Sequence, residues 1–180
     1  MVASLAQWNS SSDASHDSTP PPLPPSSQSA SLARFAEGNL SLSRALYTHS
    51  KLLVAALNGP AIGLSAALLA HFDLLYAVPS AYLLTPFSTL SLVCEGSSSA
   101  TFPRRLGHSL AVEALVLGRK LETDKLLQVG FLNEVLYVGA GELAGVVVGR
   151  VREGLEGKDR EACLVSKRLI KEAMPNEDAT

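Results

Sequence analysis

Apolar and polar positions alternate along this chain in blocks that change character at about residue 30. Residues 1–30 are dominated by Ser, Asp and Pro, including Pro20-Pro21-Pro22-Leu23-Pro24-Pro25. Such a stretch buries too little apolar surface to offset its ordering entropy, so it reads as a disordered arm. No basic residue flanks the prolines, which tells against a docking peptide. From Ser31, Leu32, Phe35, Leu40, Leu42, Ala45 and Leu46 recur at helical spacing, with Gly38-Asn39 as a kink or division. Leu52–Leu57 is continuously apolar, the pattern of a strand buried on both faces. After Asn58–Gly63 a helix is expected over Leu64–Phe72, its Ala66, Ala67 and Ala70 face suited to close packing.

Asp73–Val78 and Ala81–Leu84 read as short strands joined at Pro79-Ser80, followed by an apolar loop, Thr85–Glu95. One of Ser97, Ser98 and Ser99 caps a helix toward Gly107, which Pro103 should end or kink. A helix over His108–Leu117 closes at Gly118. A shorter one opens at Thr123-Asp124 and stops at Gly130, before a strand over Phe131–Leu136. Two helices follow, Gly141–Leu155 and Asp159–Met174, the last stopped by Pro175. Its periodicity turns Leu164, Leu169 and Ile170 to the core and Lys167, Arg168 and Lys171 to solvent. Strands alternating with helices make residues 31–180 one α/β domain.

Composition narrows the function classes. Apolar residues are 47% and charged residues 18%, ample for a core, and the net charge of -2 is spread over both signs. No basic stripe offers several phosphate contacts together, which excludes non-specific nucleic-acid binding. Cys94 and Cys163 stand apart without a CxxC partner, so neither a metal site nor a disulfide framework is expected. The uncharged run Leu52–Phe72 would span a bilayer on length alone, but Asn58-Gly59-Pro60 and Gly63 break it, and a buried strand–turn–helix accounts for it better. No secretory signal precedes the arm, and Asp178-Ala179-Thr180 is not a peroxisomal ending of the Ser-Lys-Leu type.

Two features could carry chemistry. A helix opening at Leu64 presents N–H groups without intrahelical acceptors, and Gly59 and Gly63 let a ligand approach the backbone. Glu95 is a single carboxylate after an uncharged run, Leu74–Cys94. Taken alone, the first is an ordinary strand-to-helix turn and the second a carboxylate on an exposed loop. His71 reads as a packed core histidine, and His108 starts no triad or zinc site.

Together, Asn58-Gly59-Pro60-Ala61-Ile62-Gly63-Leu64-Ser65-Ala66-Ala67-Leu68, Tyr82–Phe87, Glu95-Gly96 and Gly130–Val135 resemble the crotonase (enoyl-CoA hydratase/isomerase) superfamily, in particular its fungal peroxisomal Δ3,Δ2-enoyl-CoA isomerase branch. The resemblance implies a partial crotonase-like spiral of ββα turns with C-terminal helices, acting on acyl-CoA thioesters. Glu95 would be the catalytic acid–base and the Leu64 N–H one oxyanion donor. Ala61, Ile62 and Gly63 would line the substrate, with Phe87 and Leu90 either lining the acyl chain or packing in the core. Coenzyme A belongs to the substrate, so no cofactor and no metal is implied. The family also implies a homo-oligomer, trimer or hexamer, and a peroxisomal location; otherwise the chain reads as cytoplasmic.

The sister hydratases use two glutamates, and their places here fall on Ala67 and Thr89, neither an acid nor a base. A hydratase is thus the second enzyme reading. The family's first oxyanion donor lies on an earlier strand, in a Ser-Gly-Ala-Asp-like segment. Nothing in Met1–Ala30 matches it, Ser10–Ala14 being a poor substitute, and both ends of the chain look shortened. That raises a reading of another class: a catalytically impaired homologue that acts by assembly.

Overall fold

The computed structural model of the chain describes residues 26–139 and 141–173. Most of the expected arm, residues 1–25, and the segment Met174–Thr180 lie outside them. By its contacts the chain divides into residues 1–36 and 37–180. Helix α1 (Ser26–Tyr47) crosses that boundary and opens before Ser31; its Ser-rich start carries no apolar period to announce it. It runs unbroken through Gly38-Asn39, where Ser41 Oγ donates to the Gly38 carbonyl at 2.9 Å.

The second unit holds two small sheets. Strands β1 (Val54–Leu57), β3 (Leu74–Ala77) and β6 (Glu134–Val135) form one, all parallel, with β3 central. Strands β2 (Ala61–Ile62), β4 (Tyr82–Leu84) and β5 (Leu121–Glu122) form the other, β2 parallel and β4–β5 antiparallel. The strands on either side of Pro79-Ser80 are therefore no hairpin: β3 joins β1, and β4 joins β2. Crossing from one sheet to the other at each turn is what a spiral of ββα units does. β5 escaped the periodicity because two paired residues carry no period.

Helices α2 (Leu64–Leu69), α3 (Ser98–Leu106), α4 (His108–Leu115), α5 (Thr123–Gln128), α6 (Leu143–Leu155) and α7 (Arg160–Glu172) complete the domain. Pro103 sits inside α3 without ending it. Its ring costs the bond to the Ser99 carbonyl, and Ser99 is exposed, so water can take that acceptor. The core gathers Leu75, Ala77, Leu83, Phe102, Leu126, Phe131 and Leu143, with Phe102 edge-on to Phe131 at 6.2 Å between centroids. Asn133 clips β6 to β3: its backbone N–H donates to Leu75 O at 2.8 Å and its side-chain Oδ1 accepts from Leu75 N at 2.7 Å.

Two further expectations fail. β1 is not buried on both faces: Ala56 is exposed between buried Ala55 and Leu57, on a strand that ends its sheet among the described residues. More telling, α7 is turned over. Lys167 is 8% exposed, while Leu169 and Ile170 are 56% and 64% exposed. Lys167 Nζ pairs with Asp73 Oδ2 at 2.8 Å and donates to the carbonyls of His49 (3.0 Å) and Lys51. Asp73 Oδ2 also accepts from Leu53 N at 2.7 Å, and Lys171 lies 3.7 Å from Oδ1. A carboxylate that far from water demands a cation, and the demand outweighs the helix's apolar period.

Candidate active site

The site is built on the turn that leaves β2. Gly63 caps α2 at φ 65 and ψ -131, a backbone closed to side chains with a Cβ, and its N–H donates to Leu84 O at 2.8 Å. That bond seats the start of α2 on the second sheet. Ser65 Oγ donates to Ile62 O at 2.8 Å and so tightens the same turn. As the first residue of the helix, Leu64 has no intrahelical acceptor for its N–H. Ala66 and Ala67 are fully buried, as the small-residue face implied.

The second half arrives from the far end of the apolar loop. Gly96 has φ +61, and a Cβ placed on it would lie 3.1 Å from Leu64 Cδ1, 3.2 Å from Ala67 Cβ and 3.3 Å from Leu68 Cδ2. Only a bare backbone can come so close. The contact brings Gly96, the neighbour of half-buried Glu95, against α2. Thus the residue that follows Glu95 packs on α2, the helix that Leu64 opens. Ser97 follows in the left-handed region at φ 59, and α3 starts at Ser98. The Ser98 N–H and Oγ both donate to Glu95 O, at 3.0 and 2.7 Å. The Glu95 carboxylate makes no ion pair among the described residues.

His71, expected only to pack, is 6% exposed and directs Nε2 at Gly96 O, 3.0 Å away. No sequence signal points to that contact, because donor and acceptor are brought together by α2 and the loop. Burial pushes the His71 pKa below its usual 6.5; Lys171 adds to the fall and the bond to Gly96 opposes it. Nearby, Arg105 ties the same end of α2 to the core. Its guanidinium donates to Phe72 O at 2.6 Å and Phe131 O at 3.1 Å, and lies 4.9 Å from the Phe131 ring centre.

The remaining expected residues divide. Ala61 and Ile62 lie on β2 beside Gly63, Ile62 exposed. Phe87 is 3% exposed and belongs to the core, whereas Leu90, in a 3₁₀ turn over Ser88–Leu90, is 62% exposed. Phe87 packs with the core cluster, and Leu90 lies at the surface. Thr89 is exposed too. Two cavities of about 460 and 270 Å³ lie elsewhere, the first between Tyr47–Ser50 and α7, the second bordered by His71, Asp73, Arg104, Arg105 and Lys171. Among the described residues no group of three His, Cys, Asp or Glu could hold a metal ion, and no helix is long and apolar enough to cross a membrane.

Two small sheets joined by strands that cross between them, with helices packed around, define a fold class, and comparison with known proteins assigns it. The enoyl-CoA hydratase/isomerase family matches residues 26–175, and the chain belongs to that family. It is 52% identical over 104 residues to a Delta(3,5)-Delta(2,4)-dienoyl-CoA isomerase of Pyricularia oryzae, over 58% of this chain and 37% of that protein. To the 3,2-trans-enoyl-CoA isomerase of Saccharomyces cerevisiae it is 34% identical over 151 residues, 82% of this chain and 54% of the relative. The crystal structure of an enoyl-CoA hydratase from Polaromonas sp. JS666 superposes with a TM-score of 0.73 at 28% identity, covering 82% of this chain and 56% of that one. The chain thus spans about half or less of the length of these relatives.

Proposed function

We propose that the chain carries the acid–base turn of an isomerase that moves a double bond of an enoyl-CoA thioester from position 3 to position 2. Glu95 takes the proton from C2, charge develops on the thioester oxygen, the Leu64 N–H stabilises it, and Glu95 returns the proton at C4. A carboxylate beside a preorganised backbone donor suits that sequence, because the donor lowers the cost of the enolate while the carboxylate moves the proton. The single observation that supports the reading is the close packing of Gly96, the residue after Glu95, on Leu64, Ala67 and Leu68 of α2. Ala67 favours isomerase over hydratase: its methyl occupies that contact, so no second carboxylate stands there to handle water. The isomerase names of the two relatives argue the same way.

The substrate in this reading is an acyl-CoA thioester, and the peroxisome is the compartment that the family resemblance implies. The test is conversion of a 3-enoyl-CoA to its trans-2 isomer by the purified chain and by Glu95→Gln. Loss of a general base costs on the order of a hundred- to ten-thousandfold, so the variant should fall by at least about a hundredfold. Turnover that survives it would overturn the role of Glu95.

A second reading rests on a different observation. Leu169 and Ile170 leave an uncovered apolar strip on α7, which suits contact with further copies of the chain. No strand precedes β1 among the described residues, so none there supplies a first oxyanion donor, and one missing donor costs about a hundred- to a thousandfold. A chain that forms trimers or hexamers yet turns over no 3-enoyl-CoA would favour an assembly role over the enzyme.

A further inference from the structure

We propose that His71 is a positioning residue for Glu95, acting through its hydrogen bond to the Gly96 carbonyl. The inference rests on the acid–base reading of Glu95 for its catalytic meaning, though not for its geometry. Two peptide groups flank the Gly96 α-carbon. The first, between Glu95 and Gly96, is held by Ser98, whose N–H and Oγ both bond Glu95 O. The second, between Gly96 and Ser97, is held by His71 Nε2 at 3.0 Å. Between them they determine the orientation of a glycine, the residue with the widest choice of backbone angles. Ser97 then has to keep a left-handed conformation that a residue with a Cβ rarely adopts. Close contact with α2 fixes where Gly96 sits but not how its carbonyl is turned, and among the described residues His71 alone bonds that carbonyl.

The ring is suited to little else. Among the described residues Gly96 is its only hydrogen-bond partner, and an apolar side chain would fill the same buried place without desolvating a polar ring. A carbonyl only accepts, so the proton must be on Nε2. Burial keeps the ring neutral near pH 7, and Lys171 works in the same direction. Asp73, Arg104 and Arg105 border the cavity that His71 also lines. The imidazolium would donate through Nε2 as well, so the hold on Gly96 does not depend on the ring's charge.

His71→Gln and His71→Asn test this as a pair, since both are polar and small enough for the site. Glutamine carries an amide N–H near the place of Nε2; asparagine carries one near Nδ1 and falls short. The Ser98 amide reports on the turn without any need for turnover, because it bonds Glu95 O. In His71→Asn its hydrogen exchange should quicken about tenfold, the scale of one lost buried bond, while Tyr76 in β3 keeps its rate. His71→Gln should stay within about twofold of the parent chain at Ser98. With 3-enoyl-CoA, kcat should drop about tenfold in the asparagine variant at unchanged KM and recover in the glutamine variant. Unchanged Ser98 exchange in His71→Asn, or equal loss in both variants, would overturn the proposal. Turnover surviving Glu95→Gln would instead remove the acid–base reading, leaving the exchange result to decide the turn alone.

Discussion

Helix α2 meets its neighbour through methyl groups and bare backbone, Ala67 against Gly96, while α7 is held through Lys167 to Asp73, just ahead of β3. The first contact follows from its residues. A face of alanines invites a close approach, and a glycine in the left-handed region completes it. The second runs against its residues, because the lysine turns inward and two large aliphatic side chains turn out. Apolar periodicity chooses a helix face when the surface it meets is apolar too. Where a buried carboxylate waits, the charge decides.

The sharpest way to break this contrast is at Asp73. Asp73→Ala leaves Lys167 buried without its counter-charge and removes the acceptor of Leu53 N. Loss of one member of a buried pair costs about 3–5 kcal/mol, to be read from urea unfolding. Asp73→Leu combined with Lys167→Met should cost much less than the two changes summed, since two apolar groups want no partners. A cost equal to that sum would mean that the pair does not hold α7.

Next in size is Gly96→Ala. It adds a methyl 3.1–3.3 Å from three side chains at a φ of +61, so overpacking and backbone strain together should cost roughly 2–3 kcal/mol. Because the turn carries Glu95, enoyl-CoA turnover should fall further than that stability loss explains. Denaturant melts and kinetics on the same sample separate the two.

A smaller effect lies in pH. The folded pKa of His71 is held below 6.5, so on acidification the unfolded chain binds the proton first. Stability is therefore complete above about pH 6.5 and declines as pH falls through the lowered folded value, with a slope under about 1.4 kcal/mol per pH unit. His71→Gln should flatten the slope relative to the parent chain; equal slopes would place the titration elsewhere. Least of all is Leu169→Glu, expected to shift stability by no more than about 0.5 kcal/mol. A loss of several kcal/mol in the monomer would restore Leu169 to the core.

Much of the site was legible in the chain. Asn58–Gly63 announced a turn, Ala66 and Ala67 a tight face, and Glu95 an isolated carboxylate. Their convergence was legible only through family resemblance, since nothing local says that Gly96 touches Leu64. The His71 bond was invisible, because a hydrogen bond between a helix end and a distant loop leaves no periodic trace. Phe87 and Leu90 shared one apolar loop, and only the fold could send the first to the core and the second to the surface.

By itself, then, the sequence determined the α/β alternation, the turn that opens at Leu64 and the isolation of Glu95 after a long uncharged run. Each of these rests on local chemistry: hydrophobic period, glycine at a sharp turn, charge in an uncharged run. Tertiary structure alone decided which strands share a sheet, which face of α7 is buried, and that Gly96 meets both His71 and Leu64. Those outcomes depend on partners distant along the chain, whose burial changes what each residue requires.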